Sequence, residues 1–184
     1  MKGIVFTEFL EMVEGEFGFE VVDKITSLTQ LHDQGAYTAV GNYPHGDMLA
    51  MIGKLSETVG LEPRDLTYTF GRYLFRTFAR EYTSFFKDIT TSKEFLSGIE
   101  TVIHSEVRKL YPEAQLPQFE CEVDSNGSLI MDYTSPRPFA DLAEGLIKEC
   151  IAYFKEEITV HREAGPTQDA SSARFTLVKN DTLK

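Results

Sequence analysis

The sequence predicts an α+β fold in which a helical N-terminal half packs on a C-terminal antiparallel sheet of about four strands with one inserted helix. Apolar residues recur at helical spacing as far as Leu110, whereas β-rich runs and turn residues follow Leu116-Pro117. With 184 residues and 42% hydrophobic content, the chain can bury a sizeable core. Because no linker separates the halves, we expect a single domain, 1–184, with subdomains over about 1–64 and about 65–184.

Five helices are predicted before the sheet. Each follows helical apolar spacing and is bounded by turn or cap residues, such as Pro63 at a first turn and Ser92 as an N-cap. The predicted spans are about 4–13, 19–28, 47–60, 63–78 and 92–111.

The remaining chain predicts four strands and one helix. The strands cover about 119–123, 129–133, 158–160 and 174–178, and the helix covers about 139–154. Asn126-Gly127 lies between the first two strands, and this pair favours the tight turn of a hairpin.

Charge and composition exclude several classes of function. The net charge of −11 argues against nucleic acid and anionic membranes as partners. No stretch approaches the ~20 apolar residues of a membrane span, so a cytoplasmic location is expected. In that compartment Cys121 and Cys150 are expected to be free thiols, although a disulfide between them is possible in principle.

Three polar side chains alternate near the end of the second predicted strand. Tyr133, Ser135 and Arg137 are spaced i, i+2, i+4, so an extended segment would point them the same way. Two hydroxyls and a guanidinium fork suit two neighbouring carboxylates. A solvated hairpin edge would have the same pattern, and these residues alone favour that simpler interpretation.

His104 lies on the flank of the last predicted helix of the N-terminal half. On a helical wheel it is roughly 125° from the centre of the apolar face. A half-exposed surface histidine is one interpretation, and an axial ligand to an iron porphyrin lying against the helix is the other. Glu106, near the middle of that face, has no assigned role. The face consists of Phe95, Leu96, Ile99, Val102, Ile103, Val107 and Leu110.

The order of these features resembles the H-NOX (haem nitric oxide/oxygen binding) family. His104, Pro117 and Tyr133-x-Ser135-x-Arg137 follow one another as in that family, and the chain has the length of its stand-alone bacterial members. Further agreement is found in Met1-Lys2-Gly3, in Gly71 and in Ala143-Glu144-Gly145-Leu146, so the resemblance covers essentially the whole chain.

The resemblance implies a haem b between the two halves. His104 would be the protein ligand to ferrous iron, Tyr133, Ser135 and Arg137 would hold the two propionates, and Pro117 would press on the porphyrin. The distal wall would consist of six apolar residues. They are Val5, Phe9, Leu74, Phe78, Leu142 and Leu146.

The apolar wall predicts which gas binds. Oxygen-binding members resemble one another in a distal tyrosine supported by an asparagine, and those positions are Leu142 and Leu74 here. Bound oxygen carries partial negative charge and loses a stabilising hydrogen bond when no donor is present. We therefore expect a sensor of NO, with CO as a stand-in, that excludes oxygen; an oxygen-binding member is the alternative.

The resemblance also implies how NO binding is signalled to a partner protein. NO would weaken the bond trans to it, release His104 and let the halves rotate slightly, and a histidine kinase or a diguanylate cyclase would respond as a separate partner. Some members carry a zinc-binding cysteine cluster. The positions that align with it here are Phe139, Asp141, His161 and Ser172, so thiol-based sensing is not expected.

Two other classes of function remain as alternatives. A peroxidase- or oxygenase-type haem enzyme would need a distal acid–base residue, which the apolar wall does not supply. A haem-free signalling module would leave His104 idle. His32, His45 and His161 have no metal-ligand spacing, and Asp141 with Glu144 is the usual pattern of a surface pair.

Overall fold

The computed structural model describes residues 1–27, 31–167 and 169–180. Position 28, the predicted end of the second helix, lies outside these ranges. Within them, no helix combines the length and the apolar character that a membrane span requires. The described α-helices are α1 (Gly3–Phe17), α2 (Phe19–Ser27), α3 (His45–Val59), α4 (Pro63–Glu81), α5 (Ser92–Ser97), α6 (His104–Leu110) and α7 (Ala140–Tyr153).

Four antiparallel strands form the sheet. They are β1 (Gln118–Val123), β2 (Leu129–Thr134), β3 (Ile158–Ala164) and β4 (Ser172–Lys179), in the spatial order β1-β2-β4-β3. Helix α7 is inserted between β2 and β3. Along β2, Leu129, Met131 and Tyr133 alternate onto the buried face, as the period of a strand requires. The predicted α+β fold is therefore confirmed.

Local signals set several helix ends, and one predicted cap is displaced. Pro63 opens α4, and Gly60 ends α3 in the left-handed conformation at φ 72°. The predicted cap at Ser92 is wrong by one residue. Thr91 accepts the hydrogen bond from the Glu94 amide at 3.2 Å, and Ser92 is the first helical residue and is fully buried.

The fifth predicted helix is not continuous. A single π-helical turn, Ile99–Ile103, separates α5 from α6, and the His104 amide donates to the Ile99 carbonyl five residues earlier. The extra residue rotates the following side chains by about 100° relative to an ideal α-helix. Leu110, which follows the turn and is predicted to face inward, is 72% exposed. Val102, within the turn and also predicted to face inward, is 48% exposed.

The buried residues form two hydrophobic clusters. One contains residues from α1, α3 and α4, and the other joins the sheet to α5 and α7. Leu146 on α7 packs against both clusters. The boundary between the clusters therefore runs along the contact of α4 with α7.

Two glycines allow α4 and α7 to approach closely. A Cβ on Gly71 would lie 2.3 Å from the Leu142 carbonyl oxygen, and a Cβ on Gly145 would lie 2.1 Å from that of Tyr68. Both distances are far below van der Waals contact, and both obstacles are backbone atoms. Any larger residue at these positions would push the helices apart.

The Gly145→Ala substitution is expected to destabilise the protein. The added methyl group meets the Tyr68 carbonyl, and overpacking of this kind costs about 1–3 kcal/mol. Gly53→Ala on α3 is the matched control, because a Cβ there meets nothing within 4 Å and alanine should stabilise the helix by about 0.5–1 kcal/mol. Urea unfolding measures both changes. Equal stability of the two variants would contradict the close contact of α4 with α7.

Candidate functional site

His104 is the first residue of α6 and is largely buried. Its side chain is 12% exposed, and its Nδ1 lies 2.7 Å from Glu100 Oε1. Burial lowers the pKa of His104 and the Glu100 carboxylate only partly offsets this, so the imidazole is neutral at pH 7. A carboxylate only accepts hydrogen bonds, and we therefore assign the proton to Nδ1. The Nε2 lone pair is then available to a metal.

Glu100 is the centre of the hydrogen bonds around His104. Besides His104 Nδ1, the Phe119 amide donates to Oε1 at 3.0 Å and Arg108 Nη2 donates to Oε2 at 3.1 Å. Burial opposes the charge on Glu100, but these hydrogen bonds prevail and lower its pKa. Sequence reasoning missed this residue, although the i, i+4 spacing of Glu100 and His104 on a helix was a usable signal.

Glu106, which had no assigned role, lies on the surface. Its side chain is 46% exposed and forms an ion pair with Lys109 one turn later. The π-helical turn explains why it does not occupy the middle of a buried face, because the wheel of an ideal helix does not hold beyond Ile99.

Tyr133, Ser135 and Arg137 lie together, although not on one extended strand. Strand β2 ends at Thr134, and the chain bends over residues 136–138. The Arg137 amide donates to Ser135 Oγ at 3.1 Å. Burial raises the pKa of Tyr133, which is 3% exposed, while its hydrogen bond with Ser135 and the charge of Arg137 lower it. The phenol therefore stays protonated and can donate.

The guanidinium of Arg137 lacks an opposite charge among the described residues. It donates from Nη1 to the Gln115 carbonyl at 2.6 Å and from Nη2 to Gln115 Oε1 at 3.2 Å, and both of these acceptors are neutral. Burial lowers the pKa of this half-buried group. A cation held in this way, beside two hydroxyl groups, is a favourable place for carboxylates.

The segment from Gln115 to Phe119 connects the hydrogen bonds around Glu100 with those around Arg137. Gln115 binds Arg137 at one end, and the Phe119 amide binds Glu100 at the other. Pro117 is half-buried midway between them. The Phe119 ring lies 6.2 Å from the His104 ring, measured between centroids. Pro117 thus lies in the segment that is joined to Glu100 at one end and to Arg137 at the other.

The six residues predicted to form an apolar wall come together from α1, α4 and α7. Phe9 and Leu74 are buried in the first hydrophobic cluster. The other four are partly buried and pack against the same cluster, namely Val5, Phe78, Leu142 and Leu146. None of the six carries a hydrogen-bonding side chain.

The remaining candidate side chains stay apart from this site. His32 and His161 are exposed, and His45 is half-buried at the start of α3. Asp141 and Glu144 both bind Arg162, so they form an ion-pair cluster between α7 and β3. Within the described ranges, no three His, Cys, Asp or Glu side chains are grouped as a metal site.

The two cysteines are free thiols. Cys121 is half-buried on β1 and Cys150 is buried on α7. Burial raises the pKa of both thiols, so both are protonated at neutral pH. Neither sulfur has the thiolate character that a metal ligand or a nucleophile needs.

The arrangement fits an iron porphyrin. His104 offers one imidazole nitrogen with a free lone pair, Arg137 offers an unneutralised cation beside Tyr133 and Ser135 for two carboxylates, and six apolar side chains supply a nonpolar wall.

Comparison with known proteins agrees with this assignment. The sequence model of the family described as Haem-NO-binding matches residues 2–162. The crystal structure of the Fe(II) unliganded H-NOX protein from K. algicida is similar with a TM-score of 0.92 and 35% identity, covering 100% of this chain and 99% of that one. The solution structure of the IWP-051-bound H-NOX from Shewanella woodyi in the Fe(II)CO state is similar with a TM-score of 0.84 and 35% identity, covering 100% and 97%.

A curated relative is much longer than this chain. The soluble guanylate cyclase gcy-35 of Caenorhabditis elegans is 20% identical over 155 residues, which are 81% of this chain but only 22% of that protein. The family match covers most of the chain and the structural likeness covers all of it, so the resemblance drawn from the sequence is confirmed. The chain belongs to the Haem-NO-binding, or H-NOX, family of haem-based gas sensors.

Proposed function

We propose that this protein senses NO at a ferrous haem b held by His104 and passes the signal to a partner protein. The observation that carries the proposal is the hydrogen bond from His104 Nδ1 to Glu100, because it leaves Nε2 of a largely buried, neutral imidazole free to bind iron. When bound, ferrous haem would supply the iron that binds NO, and His104 would be its protein ligand.

The other residues of the site are proposed to hold the haem. Tyr133, Ser135 and Arg137 would bind the two propionates, and Pro117 would press on the porphyrin. We also propose that 1–184 is one domain with subdomains over about 1–64 and about 65–184. Among the described residues, α1, α2 and α3 contribute only to the first hydrophobic cluster and the sheet only to the second, while α4 contributes to both, and this supports the division.

The apolar wall selects NO and CO over oxygen. Val5, Phe9, Leu74, Phe78, Leu142 and Leu146 offer no hydrogen-bond donor to bound oxygen. A hydrogen bond to a charged group contributes about 1.5–3 kcal/mol, so its absence weakens oxygen binding about 10- to 100-fold. NO binds ferrous iron strongly without such a bond. The same wall lacks the acid–base residue that a peroxidase needs, which supports a sensor rather than an enzyme.

Release of His104 from iron is the proposed switch. Helix α6 has only seven residues and follows a π-helical turn, so few backbone hydrogen bonds resist its movement once the imidazole is free. The partner is a histidine kinase or a diguanylate cyclase, as the family resemblance indicates. The net charge of −11 favours a protein partner over nucleic acid.

Anaerobically reduced protein is expected to show a haem Soret band that NO converts to the spectrum of a five-coordinate nitrosyl haem. Air should give no stable oxygen complex. His104→Gly should lose the wild-type ferrous spectrum and regain it with added imidazole, whereas His161→Gln, at an exposed histidine, should behave as wild type. Absence of haem from the wild type would contradict the proposed function.

The Leu142→Tyr variant is expected to gain oxygen affinity. A phenol on the apolar wall could donate to bound oxygen and slow its dissociation by about 10- to 100-fold. Stopped-flow absorption measures the rate. Leu142→Phe, which has the ring without the hydroxyl, is the control and should bind oxygen as poorly as wild type. Equal oxygen binding by the two variants would place Leu142 away from the iron.

The Arg137→Gln variant is expected to lose haem faster. Removing a charged partner of a propionate costs about 1.5–3 kcal/mol, which corresponds to about 10- to 100-fold in the rate of loss. Transfer of haem to an excess of a haem-free globin measures this rate. Arg174→Gln is the control, because Arg174 lies on β4 and pairs with Asp132. Equal rates for both variants would remove Arg137 from the propionate site.

A further inference from the structure

The Glu100 carboxylate accepts hydrogen bonds from three donors on two elements, α6 and β1. It accepts from His104 Nδ1 at 2.7 Å, from the Phe119 amide of β1 at 3.0 Å and from Arg108 Nη2 on α6 at 3.1 Å. Oε1 accepts hydrogen bonds from His104 and Phe119, whereas Oε2 accepts one from Arg108.

Such a carboxylate changes the imidazole as a ligand. An acceptor on Nδ1–H fixes the ring orientation and raises the electron density on Nε2, which strengthens the bond from Nε2 to a metal. A negatively charged acceptor does this more strongly than a neutral one. Arg108 draws part of the negative charge of Glu100 toward Oε2 and so weakens this effect.

We propose that Glu100 is a positioning residue that sets the strength of the bond between His104 and iron, and that Arg108 moderates it. The proposal rests on the proposed haem ligation by His104 and deepens it. Because the strength of this bond decides how readily NO releases His104, the ion pair between Glu100 and Arg108 tunes the sensitivity of the switch.

The Fe–His stretching band of the ferrous unliganded protein, measured by resonance Raman spectroscopy, tests the proposal. Glu100→Gln should shift the band down and accelerate release of His104 by NO about 10-fold or more. Arg108→Gln should shift the band up, because the full charge of Glu100 then acts on His104. Glu106→Gln is the control on the same helix and should leave the band unchanged, since Glu106 pairs only with Lys109 in the described structure.

The expected shifts of the Fe–His band in Glu100→Gln and Arg108→Gln have opposite directions, and this distinguishes the proposed role of Glu100 from a merely structural one. If Glu100 only supported the helix, Glu100→Gln and Arg108→Gln would move the band in the same direction, and that result would overturn the proposal. An unchanged band in Glu100→Gln would also overturn it while leaving the haem site intact. Absence of a Fe–His band from wild type would instead overturn the proposed function and this proposal with it.

A second readout does not need haem. In the haem-free protein, hydrogen exchange at the Phe119 amide should be faster in Glu100→Ala than in wild type, because the acceptor at 3.0 Å is lost. Glu100→Gln keeps an amide oxygen and should retain much of the protection. Equal exchange in wild type and Glu100→Ala would show that Glu100 does not bridge His104 to β1, and would overturn the proposal.

Discussion

The close approach of α4 and α7 is the constraint on which the rest of the structure depends. Gly71 and Gly145 bring two helix backbones so near that neither can carry a side chain there. The first hydrophobic cluster, the second cluster and the sheet are joined through this contact, with Leu146 packed against both clusters. Leu74, Leu142 and Leu146 flank the glycines, so the same approach that joins the two halves also assembles much of the apolar wall.

The π-helical turn at Ile99–Ile103 decides which side chains of α6 face the candidate site. The π-helical turn rotates α6, in which Leu110 is exposed and the imidazole of His104 is largely buried. Such turns often mark functional positions, because a regular helix would be the more stable alternative. The segment from Gln115 to Phe119 then joins Glu100 to Arg137 by hydrogen bonds at its two ends. These hydrogen bonds form a continuous connection from His104 through Glu100 to Arg137.

The charges of the site differ from those of the chain around it. In a protein with a net charge of −11, the Arg137 guanidinium meets only neutral acceptors among the described residues, whereas Arg162, Arg174 and Arg72 are paired with carboxylates. A half-buried cation without a counter-charge is costly unless an anion joins it.

The sequence by itself determined the α+β order of elements, because hydrophobic periodicity, Pro63, Gly60 and the Asn126-Gly127 turn are local signals. It also supplied His104, the Tyr133-x-Ser135-x-Arg137 motif and the apolar character of the wall. Only the tertiary structure decided the break at Ile99–Ile103, the burial of His104, and the hydrogen bonds of Glu100 with Phe119 and of Arg137 with Gln115. These features depend on contacts between segments far apart in the chain, and a local sequence pattern does not specify which distant residues come into contact.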